Sequence, residues 1–151
     1  MRILEATVAI MIITSVLIVA YTRQVRRADS ADAILVTQRQ ILMDLTSRSD
    51  LRTYVLEMDS NDSIGNLTEY LNSRVILSYG YCLRVCDMDE PGGCGITTDC
   101  IARDGGLDDS LVDAIRNRAV YVEETVVSSN HLKYRPKKVK IFMWETRAED
   151  L

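Results

Sequence analysis

Ala6-Thr7-Val8-Ala9-Ile10-Met11-Ile12-Ile13-Thr14-Ser15-Val16-Leu17-Ile18-Val19-Ala20-Tyr21-Thr22 is the stretch that decides the fold. It carries no charged side chain, and its polar residues are Thr7, Thr14, Ser15 and Thr22. Seventeen residues at ~1.5 Å rise cover roughly 25 Å, the short end of what crosses a bilayer. Apolar residues surround this helix on every side, so it is not a one-sided surface helix. It belongs in lipid, in a bundle of its own kind, or in each at different times.

The whole-chain composition hides this segment. Of 151 residues 47% are apolar, which on average describes one soluble domain. Sixteen of the first 21 are apolar, and the other 130 fall to about 42%. A net charge of −4 disfavours a nucleic-acid-binding role, which needs a basic surface. Two prolines and seven glycines exclude collagen-like and Pro/Gly-rich disordered classes. One His and no glycine-rich phosphate loop leave little material for catalysis. That residue, His131, falls in an expected hairpin turn with no nucleophile paired to it in sequence. The chain is therefore not expected to be an enzyme, and no catalytic residue, cofactor or metal is assigned.

No proline or glycine precedes Gly65. After Tyr21 the pattern becomes one-sided: Ala28, Ala31, Ile34, Leu35, Ile41, Leu42 and Leu45 recur at three- and four-residue spacing. Arg23, Gln24, Arg27, Asp32, Gln38 and Arg39 take the opposite side. The periodicity predicts one helix over about 2–47, ending or restarting at Ser47-Arg48-Ser49-Asp50. Leu51, Tyr54 and Val55 extend it by two turns. Ser60-Asn61-Asp62-Ser63 is a loop and cap signal ahead of a short helix facing inward through Ile64, Leu67 and Leu71. Strands are predicted over Val75–Cys86, Ala119–Val127 and Lys138–Glu145 from alternation and β-branched content. Ser128–Lys133 links the last two as a hairpin, and Asp108-Asp109-Ser110 caps a helix through Leu111 and Ile115. Met143 and Trp144 read as strand residues and not as a cofactor box.

The fold class is thus α+β. A long N-terminal helix with an apolar first half packs on a small three-stranded antiparallel head with short helices. A sheet this small needs such a partner. Residues 1–22 form the apolar segment, 23–56 the amphipathic continuation and 57–151 the head.

All four cysteines fall within 19 residues: Cys82, Cys86, Cys94 and Cys100. Zinc favours paired CxxC knuckles, and none is present. Disulfides need only a close approach of two Cα atoms, which the Pro91-Gly92-Gly93-Cys94-Gly95 loop makes easy. Two disulfides are the preferred reading, with zinc and free thiols as rivals and the connectivity open. Cys82 paired with Cys86 is disfavoured, since four strand residues span about 13 Å. Asn61-Asp62-Ser63 and Asn66-Leu67-Thr68 match the N-glycosylation acceptor pattern, and they also suit helix capping. Between Asp87 and Asp113 eight acids face one base, Arg103. Asp87-Met88-Asp89-Glu90 resembles the start of a calcium loop, yet Pro91 replaces the third ligand and no Glu closes it. The better reading is a solvated acidic loop. The five positive charges from Lys133 to Lys140 are a candidate counterpart for that loop on a neighbouring copy.

Glu5 remains to be explained, because a carboxylate at the mouth of an apolar run is costly unless paired or protonated. It either lies at the headgroup level near the helix N-terminus or pairs with an α-amino group, its own or a neighbour's. A signal peptide fits poorly, since only Arg2 precedes the run and no small-x-small cleavage site is clear near Ala20. For a plain anchor, Arg23, Arg26 and Arg27 would keep the C-terminal part in the cytoplasm.

Met1-Arg2-Ile3-Leu4-Glu5, followed by an uncharged helix and a polar continuation, resembles the N-terminus of a mature type IV pilin, archaeal members above all. The resemblance covers roughly the first 50 residues. It implies that Glu5 compensates the terminal amine at Met1 of an adjacent subunit, and that the helices leave the membrane to bundle into a filament core. Family precursors carry a short basic leader, which this sequence does not show. The proline near residue 22 of bacterial members is absent, in keeping with an uninterrupted archaeal-type helix. The implied product is a helical homopolymer at the cell surface, with adhesion as its role and an assembly platform and ATPase as partners. Two alternatives stand beside it: a monomeric single-pass membrane protein with a ligand- or partner-binding head, and a minor pilin-like priming or capping component.

Overall fold

The computed structural model describes residues 2–58, 60–90, 94–103, 106–107, 109–128 and 135–146; the side chains of 2–6, 9, 23–29, 110 and 114 are outside the description. Met1, His131, Lys133, Asp108, Pro91-Gly92-Gly93 and most of the predicted 128–133 hairpin connection therefore lie outside the described residues. The chain is α+β. Its elements are α1 (Arg2–Ser47), α2 (Ser49–Leu56), α3 (Asn61–Arg74), β1 (Tyr79–Asp87), α4 (Asp109–Arg116), β2 (Tyr121–Val127) and β3 (Lys137–Glu145). Two compact units are present, Met1–Ala33 and Ile34–Leu151.

In the second unit the sheet order is β1-β3-β2, and both pairings are antiparallel. The break after α1 falls where the Ser47–Asp50 signal puts it. Arg48 adopts extended backbone angles (φ −83°, ψ 126°), and α2 restarts at once. Ser60 caps α3: its Oγ accepts from the Ser63 N–H at 3.3 Å.

The first strand starts later than its alternation predicts. Val75 to Leu77 share the apolar parity of Tyr79 and Tyr81, but α3 runs to Arg74 and Val75 is its C-cap, with its N–H on the Leu71 carbonyl at 2.8 Å. A turn then closes from Ile76 to Tyr79, and Ile76 and Leu77 are exposed. Period-two alternation does not separate a cap and turn from a strand when both happen to be apolar.

The sheet is covered on both faces. Tyr81 and Leu83 of β1 and Val139, Ile141 and Met143 of β3 join the core made with Ile34, Ile41, Leu42 and Leu45 of α1 and with α2 and α3. The opposite parity, Cys82, Phe142 and Trp144, packs with Cys100, Ala102, Leu107, Val112 and Ile115 in a second cluster. Trp144 lies opposite Gly80 in the register, and a Cβ at Gly80 would overlap the indole. Glycine is what lets this ring lie flat against β1.

Gln38 corrects the helical reading. Its polarity assigns it to the outer side of α1, yet it is fully buried. Ile34, Gln38, Ile41 and Leu45 follow one another at three- and four-residue steps, so Gln38 lies within the inward stripe. Its Nε2 donates to the carbonyls of Tyr121 (2.8 Å) and Ile141 (3.2 Å). A buried amide without partners would cost about 1–3 kcal/mol. These two bonds satisfy the amide nitrogen and fix the helix against β2 and β3, while Oε1 stays buried with no hydrogen-bond partner among the described residues.

A polar cluster joins α1 to α3. Tyr70 Oη donates to Asp44 Oδ2 at 2.7 Å, and Arg74 Nη2 pairs with the same oxygen at 3.0 Å. Tyr70 is pushed up to about 12, first by burial and next by its bond to Asp44. A raised pKa means that the folded state holds the phenolic proton more tightly than the unfolded chain. This contribution is complete below the unfolded value near ~10 and is lost as pH rises toward the folded one. Urea unfolding followed from about pH 9 to about 12 should show falling stability. Tyr70→Phe should flatten that decline; an unchanged slope would rule out Tyr70 as its source.

Candidate functional site

Two features of the chain are candidates for function: the apolar half of α1 and the disulfide-bonded head.

The first unit is described by itself. Its described apolar side chains are exposed all round the helix: Met11, Ile12, Ile13, Val16, Leu17 and Ile18 retain 58–72% of their accessible surface. The hydroxyls do not ask for water. Thr14 Oγ1 donates to the carbonyls of Ile10 (2.8 Å) and Met11 (3.0 Å), Ser15 Oγ to Ile12 (2.8 Å) and Thr22 Oγ1 to Val19 (3.0 Å). Such back-bonding satisfies a hydroxyl inside its own helix. The segment thus presents an uncharged, apolar surface whose hydroxyls over 10–22 are satisfied within its own helix.

Among the described residues no helix is long and apolar enough to cross a membrane. The uninterrupted described run is residues 10–22, roughly 20 Å at ~1.5 Å per residue against a hydrocarbon core of ~30 Å. The membrane span expected over 6–22 is therefore not found among them. Glu5 lies in α1. Its side chain, like all of Met1, is outside the description, so the Glu5–amine pairing has no geometry here.

In the head the cysteines form Cys82–Cys100 and Cys86–Cys94, with Cα separations of 5.5 and 5.9 Å. Both link β1 to the following loop, and Cys82 is not joined to Cys86. Neither free thiols nor a group able to hold a metal ion occurs among the described residues. Leu83 and Ile101 exchange both backbone hydrogen bonds at 2.9 Å, which fastens the returning loop to the edge of β1.

The acidic loop is tied to its own chain. Arg84 pairs with Glu90 (3.2 Å) and Asp99 (3.4 Å), and Lys137 pairs with Asp87 (2.8 Å). Of the basic stretch Lys133 to Lys140, Lys137 thus meets an acid of its own chain. Asp87 and Lys137 are cross-strand partners in the β1–β3 register, as Glu124 and Lys140 are between β2 and β3. Opposite charges facing each other across a ladder favour each other directly. Lys137 holds the Asp87 carboxyl below its ordinary range by hydrogen bonding and charge.

Arg103, the lone base among the acids, is a residue whose role sequence reasoning missed. Its Nη2 donates to the carbonyls of Val75 (3.0 Å), Ile76 (3.2 Å) and Tyr79 (3.4 Å), closing the end of α3 and the turn into β1. Its isolation amid eight acids was the available signal. Asn61 and Asn66 are exposed on α3. The hydroxyls of their acceptor triplets are engaged, Ser63 with Ser60 at 2.7 Å and Thr68 with the Ile64 carbonyl at 2.8 Å.

Comparison with protein-family models, with curated proteins and with solved structures finds no match for this chain.

Proposed function

We propose that the chain is a structural subunit of an archaeal-type, type IV pilus-like surface filament. The observation that carries this reading is the segment over 10–22, apolar on all faces and with its hydroxyls satisfied internally. Burying a Val, Leu, Ile or Met side chain is worth ~1.5–3 kcal/mol relative to leaving it exposed. Copies packed side by side supply that burial. Met1-Arg2-Ile3-Leu4-Glu5 supplies the register: Glu5 meets the terminal amine of the next subunit. On this reading the segment rests in the membrane before assembly, and a platform with an ATPase moves it into the filament. The head forms the outer wall, with two disulfides suited to an oxidising exterior.

Val16, 61% exposed, tests the bundle. A Val16→Cys chain, with one free thiol beside its two disulfides, should be captured as a covalent dimer when treated in cells with a membrane-permeant bis-maleimide. Monomers alone, with the thiol shown to be reactive, would contradict assembly through this segment.

A further inference from the structure

A cleft of about 120 Å³ opens on the disulfide face of the head. Leu77, Leu107, Leu111 and Trp144 are its apolar walls, and Arg103 and Thr146 are its polar residues. Among the described residues the partners of Arg103 are three carbonyls and the Tyr81 ring, its centroid 5.9 Å from the guanidinium carbon, and none is a carboxylate. The three carbonyls that Nη2 reaches carry no formal charge, so the guanidinium keeps its own. Thr146 Oγ1 donates to the Leu77 carbonyl at 3.2 Å, which leaves its oxygen free only to accept. The cleft therefore combines apolar walls with a cation that no carboxylate pairs among the described residues.

We propose that this cleft binds a small free carboxylate with a single branched apolar body, the carboxylate on Arg103 and the body between Leu107, Leu111 and Trp144. Nη2 is taken by the three carbonyls, so a carboxylate would meet the rest of the guanidinium through a charge-assisted hydrogen bond, stronger than a neutral one. The volume sets the size: drug-sized ligands occupy roughly 300–1,000 Å³, so only a fragment-sized acid fits. Apolar walls select against inorganic anions, which would lose hydration without gaining contact. This inference does not rest on the filament reading, because every residue it uses belongs to the head.

Trp144 is the only tryptophan in the chain and forms a wall of the cleft, so its fluorescence reports on that wall. The full-length protein is titrated with 3-methylbutanoate, which does not absorb in the tryptophan band, and with the matching neutral amide. The acid should give a saturable change, and the amide should bind about ten- to a hundredfold more weakly. Leu111→Phe, which fills the cleft, should abolish the response. Arg103→Gln should bind acid and amide alike. Should loss of the α3 closure unfold that variant, the acid–amide ratio on the unaltered chain and the Leu111→Phe result decide. No saturable change with the acid, equal affinity for the amide, or an undiminished response in Leu111→Phe would overturn the proposal.

Discussion

Replacing Glu5 with Ala is expected to abolish filament formation while the head still folds. Glu5 lies in the first turns of α1, directly ahead of the uncharged run. In a bundle of such helices a lone carboxylate would be desolvated at a cost of several kcal/mol. Pairing with the terminal amine of an adjacent copy offsets that cost, and only in correct axial register. Removing one member of a buried pair leaves the other charge uncompensated, at about 3–5 kcal/mol per contact. Repeated at every subunit, such a loss stops growth. The head is spared because Ile34–Leu151 is a compact unit with its own core. Counting filaments per cell while measuring total chain by immunoblot checks this. Wild-type filament numbers from Glu5→Ala would remove the residue from the mechanism.

The second large effect concerns the head. Replacing Cys82 and Cys100 together with Ala should cost roughly 3 kcal/mol of stability by loop closure, the separation being 18 residues. The Cys86–Cys94 pair, separated by 8, should cost about 2.5 kcal/mol by the same relation. Packing widens the gap. Cys82 and Cys100 are 0% and 4% exposed within the Phe142–Trp144 cluster, so trimming both sulfurs also leaves space in a core. Denaturant midpoints of the two paired variants should fall in that order. A reversed order, or no loss from the first pair, would show that the second cluster does not depend on this link.

Much of the head was legible because local chemistry and tertiary packing agree there. The α1–α2 break at Arg48, the Ser60 cap, the inward Leu67 and Leu71, and the existence of three strands follow from caps and periodicity, whereas the start of β1 does not and Ile64, expected to face inward, is exposed. What was not legible required a partner distant in sequence. Gln38 looked like a surface residue because its polarity outweighed its phase; its acceptors at Tyr121 and Ile141 lie 83 and 103 residues away. Phe142 and Trp144 are of the parity assigned to Lys138 and Lys140. Nothing local says that α4 and the disulfide loop cover that end of the sheet. The disulfide pairing and the Asp87–Lys137 contact depend on strand register, which spacing alone leaves open. At the apolar segment the uncharged run and its hydroxyl positions were plain from residue types. The pairing proposed for Glu5 needs a second copy, which residue types alone do not supply.

The central claim is that the surplus of apolar surface on α1 is satisfied by other copies of the chain. Electron microscopy of material sheared from the cell surface, with the subunit identified by mass spectrometry, tests this directly. The account predicts thin filaments in which this chain is the principal protein. Recovery of the chain only as a monomer in the membrane fraction, with no filament containing it, would contradict it.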